Sequence, residues 1–226
     1  MTVAAVLIGP GPSMLPSEAA AEFVSALTDV AWAGGATPIV VVVPDPEGIV
    51  AAVVADRPAS MLPVERGPHG AVWFVRGMVA ATELVRETTA VFLWPVRYRW
   101  IDAETVTSLI EAHGADPAAL VRPAFRGEPG FPALVPVAFR ERLEAMATVP
   151  GGEALDRLVA EGVPLRIVEL GDPGIVHDAS TPRDQLPPFE GPPEPAGGPP
   201  PDWNEALGQR AVEPDAAPPG PAEDER

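Results

Sequence analysis

The chain has 226 residues and a formal net charge of −17, from 32 acidic residues against 15 basic ones. All the basic residues are arginine, and there is no cysteine. Nucleic acids and anionic membrane surfaces are therefore disfavoured as partners, because both are bound mainly through Lys and Arg. Disulfides, thiol catalysis and Cys-ligated zinc are excluded, as is a lysine Schiff base. No apolar run approaches the ~20 residues of a membrane span and no targeting signal is evident, so we expect a cytoplasmic protein.

The first 43 residues predict a strand, a turn, a helix and a second strand. Thr2–Ile8 is a short apolar run that breaks at a Gly-Pro-Gly-Pro sequence. Ser17 then suits a helix N-cap, and apolar residues follow at helical spacing up to Trp32. The continuous apolar run Pro38–Val43 is typical of a strand buried inside a parallel sheet. Together these segments make one βαβ unit.

The same alternation of strands and helices continues to residue 170. We predict further helices over residues 48–55, 77–86, 103–113, 137–146 and 153–161. We predict further strands at residues 71–75, 90–94, 120–121, 133–135 and 165–170. Such alternation indicates an α/β domain with a mostly parallel sheet covered by helices on both faces.

The apolar run at residues 90–94 predicts a central strand, which ends at Pro95. A helix start follows at Asp102. In an open α/β sheet, ligands bind at the carboxyl end of such strands. Any chemistry of this chain is therefore expected around Val96, Arg97 and Tyr98.

The composition changes after Leu186. Residues 187–226 contain 12 of the 31 prolines, and nine acidic residues against two arginines. So much proline prevents regular structure, and little apolar surface remains to offset the entropy of ordering. We predict a folded domain over residues 1–186 and a disordered acidic tail over residues 187–226. The apolar patch around Trp203 is a candidate docking motif for a protein partner.

Several segments, in order and at suitable spacing, resemble the MobA-like NTP-transferase family of molybdenum-cofactor cytidylyl- and guanylyltransferases. They are Gly77-Met78, Ile101–Val106, Phe125–Pro132 and Gly171–Asp184, the last resembling the closing D-x-[DN]-T-P-x-D signature of the family. The resemblance covers about residues 1–186. It implies a Rossmann-like, three-layer α/β/α fold of the nucleotide-diphospho-sugar transferase type.

Members of that family bind an NTP over the Gly-rich loop after the first strand. They transfer a nucleotidyl group to a phosphorylated acceptor with the help of magnesium. The resemblance therefore implies a nucleotide site at matching positions of this chain, here vestigial. Its members would be Leu7, Gly9, Gly11, Ser13, Gly77 and Arg97.

The loop departs from the family pattern, which carries an Arg and a Lys for the triphosphate. Gly9 and Gly11 remain, but Pro10 and Pro12 have no N–H to donate to a phosphate. No basic residue appears before Arg57. The loop is therefore expected to be a stiff turn between strand and helix.

The metal-binding positions depart as well. The family reads roughly L-P-V-D-x-P, with its Asp on magnesium, whereas Arg97 stands at the Asp position here. A guanidinium has only donors and does not deprotonate, so it cannot ligate a metal. Ser180 replaces the second metal-binding Asp or Asn, and Phe131 replaces the histidine of the Gly-His-Pro region. The leading hypothesis is thus a catalytically inactive binding or regulatory protein, with no catalytic or metal-binding residues. Magnesium and an NTP are expected only if the family activity is retained.

Three other hypotheses remain open. In the first, Arg97 and Arg99 replace the metal and bind a nucleotide or phosphometabolite, unless they form ion pairs with Asp102, Asp172 or Asp178. In the second, the chain is an active transferase with a non-standard site. Candidates for that site are Asp45, Asp56 and Glu65. In the third, the chain is a pure interaction subunit, whose acidic tail contacts a basic partner.

Overall fold

The computed structural model describes residues 1–9, 17–65 and 70–191. The eight strands in the described residues are β1 Thr2–Ile8, β2 Ile39–Val43, β3 Ala59–Pro63, β4 Thr88–Pro95, β5 Leu120–Phe125, β6 Glu128–Pro129, β7 Ala133–Pro136 and β8 Leu165–Glu169. The α-helices are α1 Ser17–Ala33, α2 Ile49–Val54, α3 Ala71–Leu84, α4 Ala103–Ala115, α5 Arg140–Glu144 and α6 Gly151–Ala160. None of the described helices is long and apolar enough to cross a membrane.

The strands form one mixed sheet in the order β3-β2-β1-β4-β7-β5-β6, with β8 paired to β5. Pairing is parallel from β3 through β4, and again between β5 and β8. The exception at the centre is β7, which is antiparallel to both β4 and β5. Because of β7, β4 and β5 still run in the same direction, so their carboxyl ends lie at the same edge of the sheet.

Two apolar layers cover the two faces of this sheet. One face packs against α1, α2 and α4, through residues such as Phe23, Val50 and Leu109. The other face packs against α3, α5 and α6, through residues such as Phe74 and Leu155. The fold is therefore the predicted three-layer α/β/α arrangement around a mainly parallel sheet.

The prediction of a strand at residues 71–75 is wrong. These residues form the first turns of α3, and the third strand is β3, which lies earlier in the chain. The segment Ala71–Val75 is apolar on every side because α3 is covered on both sides. One side packs on the sheet, and the N–H groups of Ala71 and Val72 donate to the carbonyls of Val149 and Ala147, in the segment between α5 and α6. Burial all round removes the helical periodicity that would otherwise distinguish a helix from a buried strand.

Residues after the predicted boundary at residue 186 still contact the described domain, and the boundary itself stays a prediction. The Glu190 N–H donates to the Gly171 carbonyl at 2.8 Å, and the Glu190 carboxylate pairs with Arg126. Residues 192–226, which contain most of the predicted tail and Trp203, lie outside the described residues.

Candidate functional site

The strand order reverses at the carboxyl ends of β1 and β4, and we expect a ligand crevice there. From β1 the chain moves outward through β2 to β3, and it then returns to the other side of β1 as β4. Ligands in open α/β sheets bind where the strand order reverses in this way. The two strand ends are held together here, since the Val96 N–H donates to the Ile8 carbonyl at 2.9 Å. Arg97 follows directly, at the predicted place.

On the β1 side of the crevice, Gly9 is fixed by packing against β2. Its N–H donates to the Val42 carbonyl at 3.0 Å, and a Cβ at this position would lie 2.3 Å from Cγ1 of Val43. Glycine is therefore required by the close approach of β2 alone. Gly11 and Ser13, with the prolines between them, lie outside the described residues, so the shape of the loop stays a prediction.

Two other residues of the predicted nucleotide site are buried within the domain. Leu7 is fully buried in the sheet. Gly77 lies within α3, where a Cβ would stand 2.4 Å from Cγ1 of Val6 and 3.0 Å from Cγ2 of Val42. Gly77 thus lets α3 approach β1 and β2 closely. The nucleotide-binding role that the resemblance implies for these residues stays a prediction.

On the β4 side of the crevice, the Arg97 side chain is 42% exposed and points toward Asp178. Its Nε lies 3.8 Å from Oδ2 of Asp178, too far for a hydrogen bond, and Nε is itself buried without a partner in the described structure. One terminal nitrogen is 3.4 Å from the hydroxyl of Tyr98, whose ring also lies under the guanidinium. Arg97 is therefore only partly neutralised and has unmet capacity to donate hydrogen bonds.

Arg99 does not share this arrangement. Its guanidinium lies 4.0 Å from the ring centroid of Phe23 and 4.6 Å from that of Trp100, and it donates to Glu22 on α1 at 2.7 Å. Of the ion pairs predicted with Asp102, Asp172 or Asp178, Arg97 forms the one with Asp178, whereas Arg99 pairs with Glu22. Arg99 joins the segment after β4 to α1 through Glu22 and Phe23.

A stack of aromatic and cationic side chains adjoins Arg97. The ring centroids of Tyr98 and Phe131 are 4.9 Å apart, and the Arg122 guanidinium lies 5.8 Å from the centroid of Phe131. Phe131 therefore supports the Tyr98 ring at the position that the family motif gives to histidine. The sequence gives no signal for this contact, because the partners come from separate elements.

The closing segment, residues 171–184, crosses the carboxyl edge of the sheet and is held there by Asp172. This carboxylate is buried and accepts hydrogen bonds from the Asp102 N–H at 2.9 Å, the Thr105 hydroxyl at 2.7 Å and the Gly174 N–H at 2.8 Å. Burial raises the pKa of Asp172 despite these donors. Since Asp102 also caps α4 through the Glu104 N–H, Asp172 joins the closing segment to the start of that helix.

Asp178, further along the closing segment, is 31% exposed and faces Arg97. It accepts hydrogen bonds from the Ser180 N–H at 2.9 Å and the Ser180 hydroxyl at 2.6 Å. Partial burial acts to raise the pKa of Asp178, but the bonds from Ser180 and the charge of Arg97 outweigh it and lower the pKa. The backbone beside it is fixed as well, because the Ala179 N–H donates to the Arg97 carbonyl at 2.7 Å.

The donor set does not fit magnesium. Asp178 is the carboxylate paired with Arg97, and a cation beside it would face a guanidinium. Nowhere in residues 1–9, 17–65 and 70–191 do three His, Asp or Glu side chains come together as a metal site. Asp45, an alternative candidate, caps α2 by accepting from the N–H groups of Val50 and Ala51. Asp56 and Glu65 are exposed and belong to no such group.

Comparison with known proteins identifies the family of this chain and the solved structures that share its fold. A family model described as the MobA-like NTP transferase domain matches residues 19–164. No curated protein matches the chain. Rv0371c from Mycobacterium tuberculosis H37Rv, solved in complex with manganese, superposes with a TM-score of 0.57 at 18% identity, over 75% of this chain and 89% of that one.

Two further solved structures show the same fold. One is a nucleotidyl transferase from Methanothermobacter thermautotrophicus, with a TM-score of 0.61 at 16% identity, over 79% of this chain and 93% of that one. The other is 4-diphosphocytidyl-2C-methyl-D-erythritol synthase from Anaerococcus prevotii, with a TM-score of 0.61 at 12% identity, over 79% and 91%.

The sheet order, the covering layers and these neighbours define an α/β/α domain whose fold is shared with solved nucleotidyltransferases. Since the family model matches more than half of the chain, this protein belongs to the MobA-like NTP transferase domain family.

Proposed function

We propose that this chain is a MobA-like domain that does not transfer nucleotidyl groups and acts as a binding or regulatory protein, beside molybdoenzyme maturation if the family context is retained. The observation that carries the proposal is the partial ion pair of Arg97 with Asp178 at the carboxyl end of β4. A guanidinium there excludes a dication by charge and offers it no lone pair. Asp178, the carboxylate that faces it, is already engaged by Ser180.

The experiment is a transfer assay on the full purified chain. The protein is incubated with CTP or GTP, magnesium and molybdopterin, and pyrophosphate release is followed. We expect no release above the protein-free blank. Turnover that disappears in Arg97→Ala, but persists in Arg157→Ala, would contradict the proposal. Arg157 is a suitable control because it forms an exposed ion pair with Glu153 within α6.

A gain-of-function variant tests the metal argument separately. Arg97→Asp places a second carboxylate opposite Asp178 and restores the family residue. We expect calorimetry to detect magnesium binding in this variant and none in the parent chain. Magnesium binds one or two carboxylates and completes its shell with water, and Ser180 occupies only Oδ1 of Asp178. Equal magnesium binding by both proteins would mean that Arg97 does not determine the metal response.

A second candidate function is metal-independent binding of a nucleotide or phosphometabolite at Arg97. What supports it is that the Arg97 side chain is 42% exposed and is only partly neutralised by Asp178, whose Oδ2 lies 3.8 Å from Nε. Arginine suits such a role because its planar fork of donors matches phosphate oxygens. Arg99 is not included, since its guanidinium is enclosed between Phe23 and Trp100.

Calorimetry with CTP, GTP and inorganic pyrophosphate tests this second function. We expect the dissociation constant to be the same in EDTA as in magnesium, and to rise about tenfold in Arg97→Gln through loss of a charge-assisted contact. Arg157→Gln is the matched control and should bind like the parent chain. No heat at millimolar ligand would remove this function, while leaving the proposal of an inactive domain intact.

The role of the acidic tail around Trp203 in binding a protein partner also remains a proposal.

A further inference from the structure

The strand β8 forms an edge of the sheet with open hydrogen-bonding groups. Among the described residues it pairs with β5 alone, in parallel. The pairing includes Leu120 N–H to Pro164 carbonyl at 2.9 Å and Leu170 N–H to Ala124 carbonyl at 2.8 Å. Successive residues of a strand direct their N–H and C=O groups to opposite edges of the strand. The N–H and C=O groups of Leu165, Ile167 and Glu169 therefore point away from β5.

The side chains of the same edge are apolar and exposed. Leu165 is 39% exposed and Ile167 is 44% exposed. The two charged side chains of β8 form hydrogen bonds with neighbouring elements. Arg166 donates to the Ala112 carbonyl at the end of α4, and Glu169 accepts from the Gly127 N–H. Open backbone groups and apolar side chains therefore occur together, which favours pairing with another strand.

Other strands at the margins of the sheet carry a proline, which β8 lacks. Pro63 ends β3, and Pro129 forms half of β6. Proline has no N–H to offer, and it is one of the residues that prevent pairing at sheet edges. Directly beyond β8 the edge is covered, because Glu190 donates to the Gly171 carbonyl. The open stretch is thus confined to β8 itself.

We infer that β8 is a self-association surface, on which the β8 strand of a second copy of this chain pairs in antiparallel orientation. In the register with a two-fold axis at Ile167, every outward-facing residue of β8 forms hydrogen bonds with the second copy. Ile167 then exchanges hydrogen bonds with Ile167 of the second copy, and Leu165 does so with Glu169 in both directions. The sheet becomes continuous across the two copies.

The charges of β8 are compatible with this register. Ile167 faces itself, Leu165 faces Glu169, and Arg166 faces Val168, so no like charges are directly opposed. Each copy nevertheless carries a net charge of −17, which opposes association at long range. Salt screens that repulsion without weakening apolar and backbone contacts. Self-association should therefore become stronger as salt is added, the opposite of an interface built on ion pairs.

Sedimentation velocity on the full chain tests the inference, over about 1 to 300 µM, a range suited to a short, weak interface. We expect a monomer–dimer equilibrium that shifts toward dimer when salt is raised. Ile167→Lys should weaken the dimer at least about tenfold, because two ammonium groups then meet at the axis. Leu84→Lys is the matched control, since Leu84 is a similarly exposed apolar residue at the end of α3.

A backbone variant separates strand pairing from loss of apolar surface. Ile167→Pro removes an N–H that points outward, so it should abolish dimerisation while leaving the circular dichroism spectrum unchanged. Hydrogen exchange supplies the last readout: the amides of Leu165, Ile167 and Glu169 should gain protection only at high protein concentration. A monomer at every concentration, or a dimer unaffected by both Ile167 variants, overturns the inference. Protection that does not depend on concentration overturns it too, since another part of the same chain would then cover β8.

Discussion

Two aspartates of the closing segment differ in almost every physical respect. Asp172 is buried and accepts three hydrogen bonds from α4 and its own turn, and its pKa is raised by burial. Asp178 is partly exposed and faces a cation, and its pKa is lowered. The first joins the segment to the fold, whereas the second belongs to the crevice beside Arg97. Carboxylates in one motif can thus serve stability and binding separately.

Removing the two carboxylates should give the largest contrast. Asp172→Ala leaves the N–H groups of Asp102 and Gly174 and the Thr105 hydroxyl without their acceptor, so we expect the free energy of unfolding to fall by about 3 kcal/mol. Asp178→Ala should lower it by less than about 1 kcal/mol, because water can replace a partly exposed acceptor. Urea denaturation of both variants measures the difference. Similar losses would contradict the division of roles.

A smaller loss of stability should follow from removing the Thr105 hydroxyl, which donates a hydrogen bond to Asp172. Thr105→Val removes one of its donors and keeps the shape of the side chain, so we expect a loss of about 1.5 kcal/mol. Thr107→Val is the matched control on the same helix, since its hydroxyl contacts only carbonyl groups at 3.2 and 3.3 Å. Thermal and urea unfolding of both variants provide the comparison. A larger loss in Thr107→Val would mean that Asp172 does not depend on Thr105.

The two aspartates should also change stability with pH in opposite directions. A raised pKa in Asp172 means that the folded state keeps a proton that the unfolded state releases near pH 4. Its contribution to stability therefore falls as pH rises from about 4 toward the folded pKa. The lowered pKa of Asp178 gives a contribution that is present above pH 4 and is lost as pH falls through the folded pKa.

Unfolding free energies of the parent chain, Asp172→Asn and Asp178→Asn across this pH range measure the two contributions. The stability of the parent relative to Asp172→Asn should decrease with rising pH, and relative to Asp178→Asn it should increase. Slopes of the same sign in the two comparisons would contradict the assignment of the pKa shifts.

Patterns local in sequence predicted most of the fold. The runs that became β1, β2 and β4 are apolar throughout, and the Asp102 cap marks the start of α4, so the alternation of strands and helices was readable. The position of Arg97 at the end of β4 followed from the same pattern. The strand at residues 71–75 was wrong because α3 is buried on both sides, and β3 was missed because its pattern is only half-buried.

Contacts between distant segments were not predictable in the same way. The hydrogen bonds of Asp172 to α4, the ring contact of Tyr98 with Phe131, and the turn of Arg99 onto α1 each join separate elements. No periodicity or spacing marks such partners, because they depend on how the loops at the carboxyl edge pack. The sequence could therefore locate the candidate site but not determine which acid serves it.

The smallest effect we expect links Asp178 to binding and rests on metal-independent phosphate binding at Arg97. Asp178 competes with an incoming anion for the same guanidinium, at a distance too long for a hydrogen bond. Asp178→Asn keeps an oxygen that can accept from Ser180 but removes the competing charge, so we expect the affinity for pyrophosphate in EDTA to rise about threefold. Calorimetry measures this change against the parent chain. Folded Asp172→Asn is the control and should bind like the parent chain. Weaker binding in Asp178→Asn would mean that the carboxylate orients Arg97 for the ligand, and the two aspartates would then differ in burial but both support the site.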